Sequence, residues 1–505
     1  MSGNLYDLIR ARAPAAEKIA IEAQDGLSLS YGDLFARAGC AANALVALGV
    51  APGDRVAAQL DKSPDMIVLM LACLRAGAAL LPLNPAYTLA ELEYFLADAR
   101  PALVLCRPES LEAVRALAAR LGAPAVESLG ARRDGSFGER LGESAVMFET
   151  VARAGSDLAA ILYTSGTTGR SKGAMLTHDN LGSNALALIE VWRFTSADVL
   201  IHALPVFHTH GLFVATNVAL LSGATMIFQP RFDADAIVAA LPRATSLMGV
   251  PTFYVRLVDH PGVTRESTAH MRLFVSGSAP LLAETHAAWR AKTGHAILER
   301  YGMTETSMIA SNPYDGERRA GTVGFALPGV SLRIAEPETG RPLPDGEIGV
   351  IEVKGPNVFS GYWLMPGKTA EEFRPDGHFI TGDLARIDER GYVQIVGRAK
   401  DLIISGGFNV YPVEVEAEID ALDGVSESAV IGLPHPDFGE GVTAVVVPES
   451  NAILSEAAVL AALERRLARY KLPKRVFFKT ALPRNAMGKV QKKALRDELE
   501  GLYAR

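Results

Sequence analysis

The stretch Tyr163-Thr-Ser-Gly-Thr-Thr-Gly-Arg-Ser-Lys-Gly173 constrains this chain more than any other. It follows an apolar run from Leu158 to Tyr163 that reads as a buried strand of about five or six residues, so the loop leaves a strand end. Three glycines (Gly166, Gly169, Gly173) permit positive φ and close backbone approach, while Thr164, Ser165, Thr167 and Thr168 add hydroxyls and Arg170 and Lys172 add positive charge. Successive backbone N–H groups with nearby cations form a concavity suited to a polyphosphate. The order differs from a Walker A loop, which requires G-x-x-x-x-G-K-[ST]. An SGTTG alone would read as an ordinary turn; eleven residues in this order do not.

A chain of 505 residues exceeds one ordinary core, so two or more domains are expected. Hydrophobic residues at 49% and charged residues at 21% describe a globular protein without extended disorder. A net charge of −7 gives no electrostatic reason to expect nucleic acid or an anionic membrane as partner. Cys40, Cys73 and Cys106, an odd count in apolar surroundings, read as reduced buried thiols of a cytosolic protein. The charged N-terminus lacks the apolar core of a secretory signal, and the longest apolar run, Met66 to Leu74, is too short to span a bilayer. A cytoplasmic location follows by default.

Helical and strand periodicities alternate over the first 105 residues or so, with helices at Tyr31 to Leu48 and Pro64 to Ala76 and short strands at Val56 to Leu60, Leu80 to Pro82 and Leu103 to Cys106. Arg107 to Asp157 reads as an irregular surface connection. A second α/β stretch runs from Gly173 to about 320, with helices at Asp179 to Val191, Asp233 to Leu241 and Ala283 to Thr293. Its strands are Val199 to Leu204, Ala224 to Phe228, Ser246 to Val250 and Met271 to Ser276. Short strands between Pro/Gly turns over Gly321 to Gly397 indicate a small β-rich subdomain. The last hundred residues, ending in a basic helix from Gln491 to Leu502, read as a separate α+β unit. The expected architecture is thus a large α/β domain of layered subdomains plus the β-rich one, residues 1–398, and a small mobile α+β domain, residues 399–505.

Further motifs come after the loop in a fixed order: Phe274-Val-Ser-Gly-Ser-Ala-Pro280, Glu299-Arg-Tyr-Gly-Met-Thr-Glu305, Ile380-Thr-Gly-Asp383, Gly397-Arg-Ala-Lys-Asp401 and Leu482-Pro-Arg-Asn-Ala-Met-Gly-Lys489. With the phosphate loop they cover most of the chain, and together they resemble the adenylate-forming superfamily of acyl-CoA synthetases, luciferases and peptide-synthetase adenylation domains. One departure is Ser171, where that family usually has proline. The resemblance implies ATP, CoA and Mg2+ as cofactors. It implies that Thr164, Ser165, Gly166, Thr167, Thr168, Gly169 and Lys172 hold the phosphates. Gly277, Ser278, Ala279, Glu299, Arg300, Tyr301, Gly302 and Met303 would line the adenine, with Thr304 on the adenylate phosphate and Glu305 and Thr164 on the metal. Asp383 can accept both ribose hydroxyls, with Arg398 beside it. For Lys400 a solvated charge and a hinge are about equal from the residues alone, and the resemblance implies the hinge. Lys489 sits among basic neighbours that would ordinarily form a solvated helix face. In the family this lysine reaches the substrate carboxylate and α-phosphate. Ser405, Gly406, Gly407 and Phe408 resemble the segment that lines the CoA tunnel after the domain rotates. Acetylation would remove the Lys489 charge, so a lysine acetyltransferase and a deacetylase acting there are expected partners.

The implied chemistry has two steps: a carboxylate attacks the α-phosphorus of ATP, and the CoA thiol then displaces AMP. The acid is already ionised, so catalysis is mostly positioning and charge stabilisation. The acyl-pocket positions, Pro205 to Gly211 and Gly249 to Arg256, contain His208, His210 and Arg256, which with Ser276 would match a second carboxylate. A helix-surface arginine and a structural histidine are the plain alternatives. The wider wording, SNPYDGERR and MGVPTFYVRL, is similar to that of malonyl-CoA synthetases, which implies malonate, with methylmalonate, as the acid. A monocarboxylate:CoA ligase and a carrier-charging adenylation domain share the core motifs and remain open.

Overall fold

The structure is a computed structural model that describes residues 3–122, 125–164, 171–406, 408–485 and 488–503. Two large, mostly parallel sheets enclose a layer of helices. One has six strands, in the order Ala125–Ser128, Leu103–Cys106, Arg55–Gln59, Ala79–Pro82, Leu158–Thr164 and Lys172–Thr177. The other has nine, its parallel centre formed by Leu298–Met303, Leu273–Ser276, Ser246–Gly249, Val199–His202, Thr225–Phe228 and Ile19–Ala23. The helix Pro64–Ala76 is buried on every side, as expected of an almost wholly apolar sequence between packed layers. Arg75 survives there by bonding: its Nη1 donates to the Phe35 carbonyl at 3.2 Å and its guanidinium lies over the Tyr6 ring.

An antiparallel sheet of Ser331–Ala335, Gly349–Lys354, Phe379–Ile387 and Val393–Arg398 forms the β-rich part. Beyond Arg398 a separate sheet pairs Phe408–Val410, Ile403–Ser405, Gly439–Pro448 and Val425–His435, with Arg475–Phe478 added alongside Gly439–Pro448, over its own apolar cluster centred on Val430, Val442, Val415 and Leu463. The mixed α/β architecture matches the expectation. The three cysteines are free and buried. No helix among the described residues is long and apolar enough to cross a membrane.

One expectation changes. Arg107 to Asp157 is built rather than irregular: it holds helices Leu111–Arg120 and Ser136–Glu143 and the edge strand Ala125–Ser128. Its Gly- and Arg-rich wording conceals a four-residue strand whose pairing with Leu103–Cys106 comes from the sheet. The glycine-rich loop does leave a strand, but it returns directly into a second one, so that Thr164 pairs with Lys172 across an antiparallel hairpin. Residues 165–170 of the loop lie outside the described residues.

Candidate active site

The functional side chains gather where loops leave the carboxyl ends of the parallel strands, the usual place for a ligand in such sheets. At the phosphate-loop side, Lys172 Nζ donates to Glu372 Oε1 at 3.0 Å and lies 4.0 Å from the centre of the Tyr362 ring. The Tyr362 hydroxyl lies 2.6 Å from Glu372 Oε2 and 3.0 Å from Glu305 Oε1. A phenol has one proton, so both contacts hold together only if one carboxyl contributes another. Burial raises the Glu305 pKa, against the pull of backbone and Tyr362 hydrogen bonds and of the Lys172 and Arg398 charges. Burial also works against Glu372, but hydrogen bonds from Tyr362 and Lys172 outweigh it and hold that carboxyl below its ordinary range. Sequence reasoning missed Tyr362 and Glu372, which carry no motif of their own and arrive from a distant loop.

The nucleoside end is closed by ion pairing. The Tyr301 hydroxyl donates to Asp383 Oδ2 at 2.5 Å, and Arg398 Nε lies 2.6 Å from Asp383 Oδ1. Register explains the second contact, because Asp383 and Arg398 face each other across neighbouring strands. Burial, then the Asp383 charge, pushes the Tyr301 phenol well above its ordinary pKa. Gly302 permits the tight hairpin here, since a Cβ would meet the Ser307 carbonyl oxygen at 2.0 Å. Met303 and Thr304 are half-buried at its turn. Glu299 is buried and accepts from the Gly321 N–H at 3.2 Å, and burial pushes its carboxyl up to about 8.

A few ångströms along the same strands the environment is different. Arg300 is buried and its guanidinium lies flat against the backbone of Gly277, where a Cβ would sit 2.4 Å from Arg300 Cζ. Arg300 Nε and Nη2 are buried without a hydrogen-bond partner among the described residues, as are His210 Nε2 and Ser276 Oγ. Burial draws the Arg300 pKa down to about 9, eased slightly by Tyr254, whose hydroxyl is fixed on the Val275 carbonyl at 2.7 Å. Burial, then the charges of Arg300 and Lys489, takes His208 down to about 4; burial and Arg300 take His210 well below its ordinary value. Both rings are therefore neutral near pH 7. His208 Nδ1 accepts the His210 N–H at 3.3 Å, which leaves the ring proton on Nε2, while His210 Nδ1 lies 3.3 Å from Ser278 Oγ. Ser278 itself has φ +73, a left-handed backbone next to Gly277, and Ala279 is half-buried beside it.

Arg256 stands apart from this group. It is exposed on the helix Pro251–Val258, 5.5 Å over the Phe232 ring, and lines a cavity of about 360 Å³ with Pro205, Thr252, Arg484 and Gly488. Gly488 packs on Thr252 from the C-terminal unit, which brings Lys489 toward the site. Lys489 is exposed as a residue, yet desolvation at its ammonium, then the charge of Arg398, lowers its pKa, with Asp383 and Asp401 opposing. Lys400 is exposed on the turn Ala399–Asp401 and is lowered to about 8 by desolvation and by Arg398 and Lys489. Ser405 is buried, Gly406 has φ +59, and exposed Phe408 stacks on Tyr470 at 4.8 Å. Gly407 lies outside the described residues, as do Ser165, Gly166, Thr167, Thr168 and Gly169 of the phosphate loop.

Residues 9–363 match the AMP-binding enzyme family and residues 414–489 the AMP-binding enzyme C-terminal domain, and the chain belongs to that family. Among solved structures it is similar to ATP-bound MatB from Rhodopseudomonas palustris, 60% identical over 100% of both chains with a TM-score of 0.98; the apo form of MatB gives 0.86. At equal identity and coverage the fold superposes more closely on the ATP-bound form than on the apo form. Among curated proteins it is similar to a feruloyl-CoA synthase of an Amycolatopsis species, 39% identical over 93% of this chain and 94% of the relative. A malonate–CoA ligase of Arabidopsis thaliana is 35% identical over 99% of this chain and 90% of the relative.

Proposed function

We propose that the chain is an AMP-forming acid:CoA ligase that converts malonate, ATP and CoA to malonyl-CoA, AMP and pyrophosphate through malonyl-AMP. One observation carries the choice of acid: buried Arg300 turns two unpaired N–H donors toward neighbours that offer it no carboxylate. A buried guanidinium without a counter-ion is costly, and a second carboxylate on the substrate meets it bidentately. The two neutral imidazoles beside it add N–H donors without adding charge. An aryl acid such as ferulate offers no anion there, which weighs against reading the chain from its feruloyl relative.

One malonate carboxylate oxygen attacks the α-phosphorus as the bond to the β-phosphate breaks and pyrophosphate leaves. Lys489 offsets the charge that builds on the attacking and phosphoryl oxygens. Tyr301, braced by Asp383 and Arg398, holds the nucleoside, and Gly277, Ser278 and Ala279 give the base its other wall. The CoA sulfur then attacks the acyl carbon and AMP leaves, with Ser405, Gly406 and Phe408 lining the thiol's route after Lys400 and its turn have pivoted. Mg2+ fits Glu305 and Thr164: a buried carboxyl and a hydroxyl, completed by substrate phosphates, are the oxygen ligands this ion favours. It would neutralise phosphate charge.

We place the domain boundary at 398/399, supported by the sheet change between Val393–Arg398 and Ile403–Ser405. A cytoplasmic location and an acetyltransferase–deacetylase pair acting on Lys489 belong to the same reading; activity regained on enzymatic deacetylation of the acetylated protein is the check on the latter. The acid is tested by ATP–pyrophosphate exchange over malonate, methylmalonate, acetate, benzoate and ferulate, followed by thioester formation with free CoA. Malonate should lead. Equal or faster exchange with ferulate would move the assignment to the aryl ligases, and exchange without a CoA thioester would move it to the carrier-charging class.

A further inference from the structure

A single π-helical turn, His210–Ala215, presents His210 to the acid site, and it needs an explanation because such turns are rarely stable alone. Its key atom is the Gly211 carbonyl oxygen. This atom accepts the Thr216 backbone N–H, five residues on instead of four, and also the Thr216 hydroxyl at 2.9 Å and His202 Nε2 at 2.9 Å. Gly211 tolerates the crowding because a Cβ there would meet the Pro205 carbonyl oxygen at 2.1 Å. A carbonyl cannot donate, so His202 must carry its ring proton on Nε2 and leave Nδ1 bare. The bare nitrogen lies 3.0 Å from Lys62 Nζ, which also donates to the His202 carbonyl at 2.7 Å and rests 4.4 Å over the Phe228 ring. Lys62 lies just past the strand Arg55–Gln59 of the six-stranded sheet, whereas His202 ends Val199–His202 of the nine-stranded one.

We infer that Lys62 is a positioning residue for acid recognition: through the tautomer of His202 it fixes the five-residue hydrogen bond that aims His210 at the substrate's second carboxylate. Without Lys62 the other tautomer becomes available, with Nε2 bare against a carbonyl that it repels. The turn can then relax to an ordinary α-helical one, and removing one residue from the turn rotates the segment before it by about 100° relative to the helix beyond it. That swings His210 off Ser278. The nucleotide keeps Tyr301, Asp383 and Arg398, which this change does not touch, so any effect on ATP is confined to the loss of one bond to Ser278.

The inference rests on the malonate reading of the site, so the experiment measures both together. Wild type, Lys62→Met, Lys62→Arg and Thr216→Val are compared for the KM of malonate, the KM of ATP and the thermal midpoint. Lys62→Met should raise the malonate KM roughly tenfold or more, the scale of one positioned charge-assisted hydrogen bond, with the ATP KM within about twofold. Lys62→Arg, which keeps two donors in reach, should recover part of it, and Thr216→Val should show the same one-sided change at smaller size. If wild type prefers another acid, the malonate reading fails while the split is read with that acid. A Lys62→Met enzyme with unchanged acid KM, or with acid and ATP constants rising in step, overturns the inference. Should Lys62→Met not fold, Thr216→Val and the His202 ring-nitrogen NMR shifts decide: an Nδ1–H tautomer in wild type sinks the idea.

Discussion

The two ends of the site are built from the same strand in opposite ways. Tyr301 meets Asp383 and Arg398, and every charge there has its partner before any ligand arrives. Its neighbour Arg300 points to the other side of the strand and is left, with His210 and Ser276, holding polar atoms that nothing in the described residues pairs. Under the proposed function the paired end is preorganised for the nucleotide and the unpaired end favours a ligand carrying its own negative charge, so selectivity for a dicarboxylate would follow from leaving a cation unsatisfied.

The strongest way to break this contrast is Arg300→Ala. Losing one side of a desolvated charge pair costs about 2–5 kcal/mol, so kcat/KM for malonate should fall roughly 30-fold to several thousand-fold, while exchange with acetate holds or rises. An equal fall for acetate would put Arg300 at the nucleotide instead. Lys489→Ala serves both ends and should lose about 10²–10³-fold of malonyl-AMP formation for any acid. Its thioester half-reaction from supplied malonyl-AMP should persist; loss of both halves would make Lys489 structural.

Asp383→Asn probes the paired end. It weakens the bonds to Arg398 and Tyr301, and the ATP KM should rise roughly tenfold with every acid alike. A rise confined to malonate would erase the distinction between the ends. Arg256→Ala should change malonate kcat/KM by less than about fivefold, since its guanidinium is exposed and solvent-screened. If it costs more than Arg300→Ala, the second carboxylate sits in the outer cavity beside Gly488.

The smallest effect is on stability. His208 and His178 are both held near 4 by burial, below the ordinary value of 6.5. Above pH 6.5 the folded and unfolded chains leave both rings neutral and the stability is whole. Between 6.5 and 4 only the unfolded chain takes up the protons, so stability declines as the pH falls. The thermal midpoint should drop by several degrees from pH 7 to pH 5, less so with saturating malonate. Midpoints unchanged across that range would mean the rings titrate normally.

Local sequence determined a good deal. The periods of Tyr31–Ala47, Pro64–Ala76 and Ala283–Thr293, and the apolar runs at Ser246–Gly249 and Leu273–Ser276, specify their elements because burial follows a simple repeat. Motifs of close neighbours, such as Glu299 to Glu305, were legible because those residues lie together on one hairpin. What the sequence left undecided was which side of each strand a charge would occupy. Arg300 reads as one more residue of that hairpin and Arg256 as the natural partner for an acid; the proposal of Arg300 instead rests on its burial and its close packing on Gly277, against the exposure of Arg256. Tyr362, Glu372 and Lys62 carry no local signal, since their roles depend on chain segments 57, 200 and 140 residues away. Tertiary structure decided those, because a buried charge is assigned by the neighbours that desolvate or pair it, and those neighbours meet only when the sheets are assembled.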